Sequence, residues 1–121
     1  MVVQAARLAS ATHFHSSMFL ISVMITTVFV LMIAHVFEII VWSITYLIVG
    51  AAPDGSDLLY FAFVNYTTLG YGDITPVREW NLLGPLTAMN GVLLFGWSTA
   101  VIFEVLRRAM IGDSHTGKRT D

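Results

Sequence analysis

The sequence predicts an all-α membrane protein, with two spanning helices on either side of a short re-entrant helix and loop, several copies closing around one axis. Three observations predict it. Charged residues make up 12% of the chain and hydrophobic ones 56%, whereas a soluble domain carries about 25% charged residues. Two apolar runs, Met18 to Gly50 and Asn81 to Leu106, each exceed the roughly 20 residues that cross the hydrocarbon. Between them stands TTLGYGD, residues 67–73, a glycine-rich loop bearing hydroxyls.

Residues 1–17, MVVQAARLASATHFHSS, read as a cytoplasmic N-terminus. A cleavable signal has an apolar core of roughly 7–15 residues before a small-residue cleavage site. The run from Met18 continues far beyond that, so it reads as a retained first spanning helix over residues 18–49. The segment before it is too short for its pattern to define an interfacial helix. His13, His15 and His115 lie in polar tails and read as solvated histidines. Gly50, Pro53, Asp54 and Gly55 form the breaker cluster that ends the first span.

Leu58 to Val64 is aromatic and apolar but only seven residues long, the length of a re-entrant segment. The glycines that follow then break it. Non-helical backbone at membrane depth survives only where it is buried in protein or lines a water-filled cavity. Two spanning helices of one chain cannot enclose such a loop, so the chain is expected to oligomerise. The second span covers residues 82–108, with a cytoplasmic tail over 109–121. Near its end, Glu104 precedes Arg107 and Arg108 by three and four residues, a surface pairing pattern.

Orientation follows from the basic residues. Arg7 precedes the first span, and Arg107, Arg108, Lys118 and Arg119 follow the second, while the loops between hold only Arg78. By the positive-inside tendency both termini are cytoplasmic and TTLGYGD approaches from outside. Asp54, Asp57, Asp73 and Glu79 make an acidic outer rim, read either as solvated loop residues or as a means of raising the local cation concentration. No basic cluster exceeds the pair Arg107–Arg108, which excludes nucleic acid as an expected partner. The chain has no cysteine, hence no disulfide framework or thiolate metal site.

Gly70 and Gly72 can adopt positive φ without a Cβ penalty. Alternating such residues with ordinary ones lets successive carbonyls point one way, and four copies around an axis would stack those oxygens into rings. Rings of that kind replace the water shell of a bare monovalent cation, with Thr68 adding its hydroxyl. No carboxylate within TLGYG binds the ion too tightly to leave.

TTLGYGD resembles the selectivity-filter signature of potassium channels, and from Met18 to Arg108 the layout is similar to that of the two-helix bacterial potassium channels, which are homotetramers. The resemblance implies K+ binding by the carbonyls of Thr68, Leu69, Gly70 and Tyr71, closed by Gly72, with Leu58 to Thr67 as the pore helix. It also implies an integral protein of a bacterial inner membrane, partnered by lipid, by K+ and by its own copies. K+ is then the permeant ion and no other cofactor is expected. Two positions depart from the pattern. Leu69 stands where valine or isoleucine is usual, and Val64 where some relatives carry a glutamate bonded to the acid after the filter. Asp73 therefore needs another partner, for which Tyr60, or Tyr66 of a neighbour, are the candidates.

Gly91 and Gly96 break the second span, at positions that match a bending hinge in the family or a close helix contact. Asn90, Ser98 and Thr99 either wet a cavity or bond neighbouring helices. In the first span, His35, Glu38 and Trp42 fall at i, i+3 and i+7 on one face. A charge near the bilayer centre costs at least ~2.5 kcal/mol, so that face cannot look at lipid. His35 and Glu38 are expected, with Thr67 and Asp73, to support the filter from behind, with pH sensing as the sharper alternative. No reaction is expected, only passive flow of K+. A less selective cation channel, a non-conducting subunit of a larger channel and a small proton-coupled transporter are the other readings.

Overall fold

In a computed structural model, the backbone is described for residues 2–116 and the side chains for residues 18–111. The histidines in the tails, Lys118 and Arg119 lie outside the described side chains. The regular elements among the described residues are all helical: α1 covers Val2–Val49, α2 Leu58–Tyr66, a single 3-10 turn Arg78–Trp80, and α3 Leu83–Thr116. Met18–Val49 and Arg78–Ile111 are each long and apolar enough to cross a membrane. The boundary expected at Met18 is one of composition rather than of backbone. Residues 2–17 hold neither glycine nor proline, and α1 runs through them unbroken for 48 residues. At 1.5 Å per residue that is about 72 Å, well over twice the ~30 Å of a hydrocarbon layer.

α1 stops where the breaker cluster begins. Gly50 takes φ +63°, and the Ala51 amide donates to the Tyr46 carbonyl at 3.0 Å. This is the six-to-one closure that a left-handed glycine makes possible after a helix. Ala51 is buried, and its carbonyl accepts from the Val77 amide at 2.9 Å, which ties the chain before α2 to the chain after the TLGYG stretch. Asp57 caps α2, its carboxylate accepting from the Tyr60 amide at 3.0 Å. That cap satisfies one of the amides a helix start leaves open.

Contacts divide the described chain into two compact units. One comprises Leu31–Ser98 and holds the core, in which Ile39, Tyr46, Ala51, Phe61, Ala62 and Tyr66 are buried. Tyr46 and Phe61 stack with ring centres 4.9 Å apart. The other comprises the segments up to Val30 and from Thr99 on. In it Thr26 and Thr27 return their hydroxyls to the carbonyls of Ser22 and Val23. Glu104 accepts from Arg107 at two atoms and from Arg108 at one, the pairing its spacing predicts. All three groups are substantially solvated, so the pairing contributes little to stability.

Within the Leu31–Ser98 unit, Gly91 sits against the end of α2. A Cβ at this position would overlap the carbonyl oxygen of Tyr66, while a Cβ at Gly96 would meet open space. Close approach of backbone is therefore sufficient reason for a glycine at 91, whatever bending it also allows. Gly91→Ala is expected to destabilise the chain by about 1–3 kcal/mol, the usual cost of overpacking, whereas Gly96→Ala should be nearly neutral. Thermal unfolding of the two variants in detergent checks the difference.

Candidate functional site

α2 ends at Tyr66, and the chain then turns into Thr67–Asp73. The carbonyls that a helix leaves open at its C-terminus are taken up by the amides that follow. Thr67 N–H donates to the Phe63 carbonyl at 3.0 Å, Thr68 N–H to Asn65 at 3.0 Å, and Leu69 and Gly70 N–H to Val64 at 2.9 and 3.4 Å. The Thr67 hydroxyl adds a bond to the Phe63 carbonyl at 2.8 Å. Thr67 thus locks the stretch onto α2, which is a supporting geometry.

Beyond that anchor the backbone alternates. Thr68, Gly70 and Gly72 take φ of +61°, +57° and +77°, while Leu69 and Tyr71 stay at negative φ. The two glycines fall where the sequence places them. Thr68 extends the alternation one step further than glycine content can indicate, at the strain a β-branched residue carries with positive φ. Among the described residues, no backbone hydrogen bond is accepted by the carbonyls of Thr68 to Gly72. All five residues are exposed, Leu69 at 53% and Tyr71 at 68%. The stretch therefore gives its amides to α2 and leaves a run of unpaired oxygens.

The far end is held by Asp73, whose carboxylate accepts from the Tyr60 hydroxyl at 2.8 Å. Of the two partners considered for Asp73, the one inside the same chain makes the bond. Tyr66 is engaged elsewhere, buried, with its hydroxyl 2.8 Å from Nδ1 of His35.

Behind the stretch, three polar rungs join α1 to α2 and α3. The lowest is His35, whose Nε2 lies 2.9 Å from the Ser98 hydroxyl while Nδ1 meets Tyr66. In the next, Trp42 Nε1–H donates to the Asn90 side-chain oxygen at 3.3 Å. The third is a relay. Asn65 donates to the Tyr46 hydroxyl at 3.4 Å, Tyr46 meets Thr87 at 2.6 Å, and Thr87 donates to the Leu83 carbonyl at 2.9 Å. His35, Trp42 and Tyr46 fall on one face of α1. Asn90 and Ser98 thus bond neighbouring helices. Glu38 shares the face and is half-buried, yet no hydrogen bond or ion pair to it occurs among the described residues. Tyr46, Thr87 and Asn65 were not singled out as a set by sequence reasoning. The eleven-residue spacing from His35 to Tyr46, three helical turns, was the available signal.

No group of three or more metal-ligating side chains gathers among the described residues. A recess of about 270 Å³ opens beside the stretch, between α2 and the start of α3, and its lining includes Val64, Asn65, Thr68, Gly70 and Pro85.

A family model described as "Ion channel" matches residues 25–108, which takes in the Thr67–Asp73 stretch, the polar rungs and most of both long apolar helices. No curated protein and no solved structure matches the chain.

The Tyr60–Asp73 bond has a titratable signature. Donation to the Asp73 carboxylate, then partial burial and the negative charges nearby, raise the Tyr60 phenol above its ordinary 10.0. A raised value means that the bond is fully present below pH 10.0 and is lost as pH climbs through the higher folded value. Phenolate absorbance, compared between the native chain and Tyr60→Phe, should place Tyr60 as a late-ionising tyrosine. Asp73→Asn should bring that ionisation down towards the ordinary value.

Proposed function

The chain belongs to the ion channel family, an integral membrane protein of two spanning helices and a pore loop rather than an enzyme, and we propose that the ion it conducts is K+. On this reading the carbonyls of Thr68, Leu69, Gly70 and Tyr71, with the Thr68 hydroxyl, replace the water shell of the ion as it passes, and Gly72 closes the run. The observation that carries the reading is the alternation of positive φ at Thr68, Gly70 and Gly72, with every carbonyl between them free of backbone partners. Rings of such oxygens are how potassium channels bind an ion without holding it.

A ring needs copies, and the chain acts as a homotetramer. What supports this is the apolar surface around the stretch. Leu59, Phe63, Leu69 and Leu82 are all exposed in the single chain, and the recess beside Thr68 is open. Large exposed apolar patches mark surfaces that are covered in use. The stretch itself cannot stand in a bilayer unless protein encloses it. The membrane is a bacterial plasma membrane, with both termini on its basic, cytoplasmic side.

Thr67, the Tyr60–Asp73 bond and the His35 rung hold the filter at its base, its outer end and from behind. Leu69 keeps its carbonyl in the run and changes only how its side chain packs. Gly91 and Gly96 are the places where the inner helix can bend. The flow is passive and runs down the K+ gradient.

Purified chain in liposomes tests this. K+ efflux should exceed Na+ efflux under the same gradient by about a hundredfold or more, and Gly72→Ala should remove the flux or its selectivity. Alanine at φ +77° costs roughly 1–2 kcal/mol in each subunit and turns a carbonyl out of line. Equal K+ and Na+ rates in the native chain would retire the selectivity, and silent liposomes would retire conduction by the chain alone.

A further inference from the structure

Among the described residues, His35 of α1 hydrogen-bonds both to the last residue of α2 and to α3. Nδ1 meets the Tyr66 hydroxyl at 2.8 Å and Nε2 the Ser98 hydroxyl at 2.9 Å. Its ring also packs on Phe95, with centres 4.7 Å apart, and Phe95 in turn stands edge-on to Tyr66 at 5.5 Å. Tyr66 is the hinge post of the site. Its side chain is buried, its carbonyl abuts Gly91, and Thr67 and Thr68 follow it directly.

The valence of imidazole makes this junction sensitive to a proton. A neutral ring has one donor and one acceptor, so its two hydroxyl partners must play opposite roles. Among the described residues Tyr66 has no other hydrogen-bond partner for its hydroxyl. The phenol therefore donates to Nδ1, and the ring proton sits on Nε2 and goes to Ser98. Ser98 can turn its own proton to the carbonyl four residues back, as helical serines do. A second proton on the ring would occupy Nδ1 and take the acceptor away from Tyr66. It would also set a positive charge beside the C-terminal end of α2, where the helix dipole is negative and attracts cations.

Resting on the K+ channel reading, we infer that His35 is a proton-binding clamp on the filter base, whose protonation weakens conduction. The neutral ring holds Tyr66 to α3 and leaves the negative end of α2 facing the ion path. The charged ring donates from both nitrogens, so the Tyr66 bond reverses, the buried phenol proton loses its acceptor, and the new charge offsets that negative end. Three elements surround the ring. α1 brings Glu38, one turn along and half-buried, whose charge reaches the Tyr66 phenol. α2 brings the Tyr66 phenol itself. α3 brings Ser98 and Phe95 and, among the described contacts, no charged group.

The test is K+ efflux from liposomes carrying the purified full chain, with equal pH inside and out, from about pH 8 to pH 5.5, where imidazole ordinarily gains its proton. Native efflux should fall about tenfold across that range, the size of effect a partly buried charge has at a helix end. In His35→Gln, whose amide keeps a donor and an acceptor but cannot titrate, the ratio of efflux at the two ends should be near one. Removing the chain's other three imidazoles, by His13→Gln, His15→Gln and His115→Gln together, should leave the native response intact.

A response that survives His35→Gln, or disappears with the other three histidines, overturns the clamp while leaving K+ conduction standing. An efflux absent at every pH strikes the channel reading instead. Should His35→Gln not assemble, nitrogen NMR of the native His35 ring reads the same event, and a ring that stays neutral throughout the range refutes the inference.

Discussion

The four amides that follow α2 are turned back towards it. The carbonyls of Phe63, Val64 and Asn65 receive the N–H groups of Thr67, Thr68, Leu69 and Gly70, and this one set of bonds organises the rest of the site. In apolar surroundings an unpaired amide or carbonyl costs several kcal/mol, so a helix end and an extended strand cannot both be left open at membrane depth. Here the helix end consumes the donors of the strand. What remains on the stretch is a surplus of acceptors, and on the proposed reading that excess of carbonyl oxygen is what a passing cation uses.

Such an arrangement has to be held at both ends and from behind. Tyr60 and Asp73 close the outer end with a bond between the first turn of α2 and the residue after Gly72. At the inner end Tyr66 is pressed against Gly91 and bonded to His35. The seam behind it is built from single polar contacts at His35, Trp42 and Tyr46 rather than from an apolar stripe. Between membrane helices this is physically sensible, because lipid tails compete evenly with leucine and only packing and hydrogen bonds favour one helix neighbour over another. Bonds of this kind contribute about 0.6 kcal/mol each, so their value lies in register. They decide which turn of α1 stands against which turn of α3.

Much of this was legible before any coordinates. The two long apolar runs and the short segment between them announce the fold through length alone, and the breaker cluster at Gly50 marks the end of α1. The glycines at 70 and 72 signal the backbone alternation through the only property a glycine has, its freedom at positive φ. His35 stood out because an ionisable group in an apolar helix requires an explanation. Tyr46 and Thr87 did not stand out, since tyrosine and threonine in a membrane helix are ordinary until a partner is seen. Gly91 was ambiguous for a similar reason: a bend and a close contact ask for the same residue. The overlap with the Tyr66 carbonyl supplies the contact.

By itself, then, the order of residues determined the element types, the two spans and the stretch in which carbonyls would be exposed. These follow from hydropathy, chain length and backbone freedom, which are local quantities. Only the tertiary structure decided that Thr68 joins the glycines at positive φ, that Asp73 takes Tyr60, and that His35 divides its two nitrogens between Tyr66 and Ser98. Each of those choices pairs groups far apart along the chain or strains one residue for the benefit of another. No local property records such a pairing, because its free energy exists only once the helices have met.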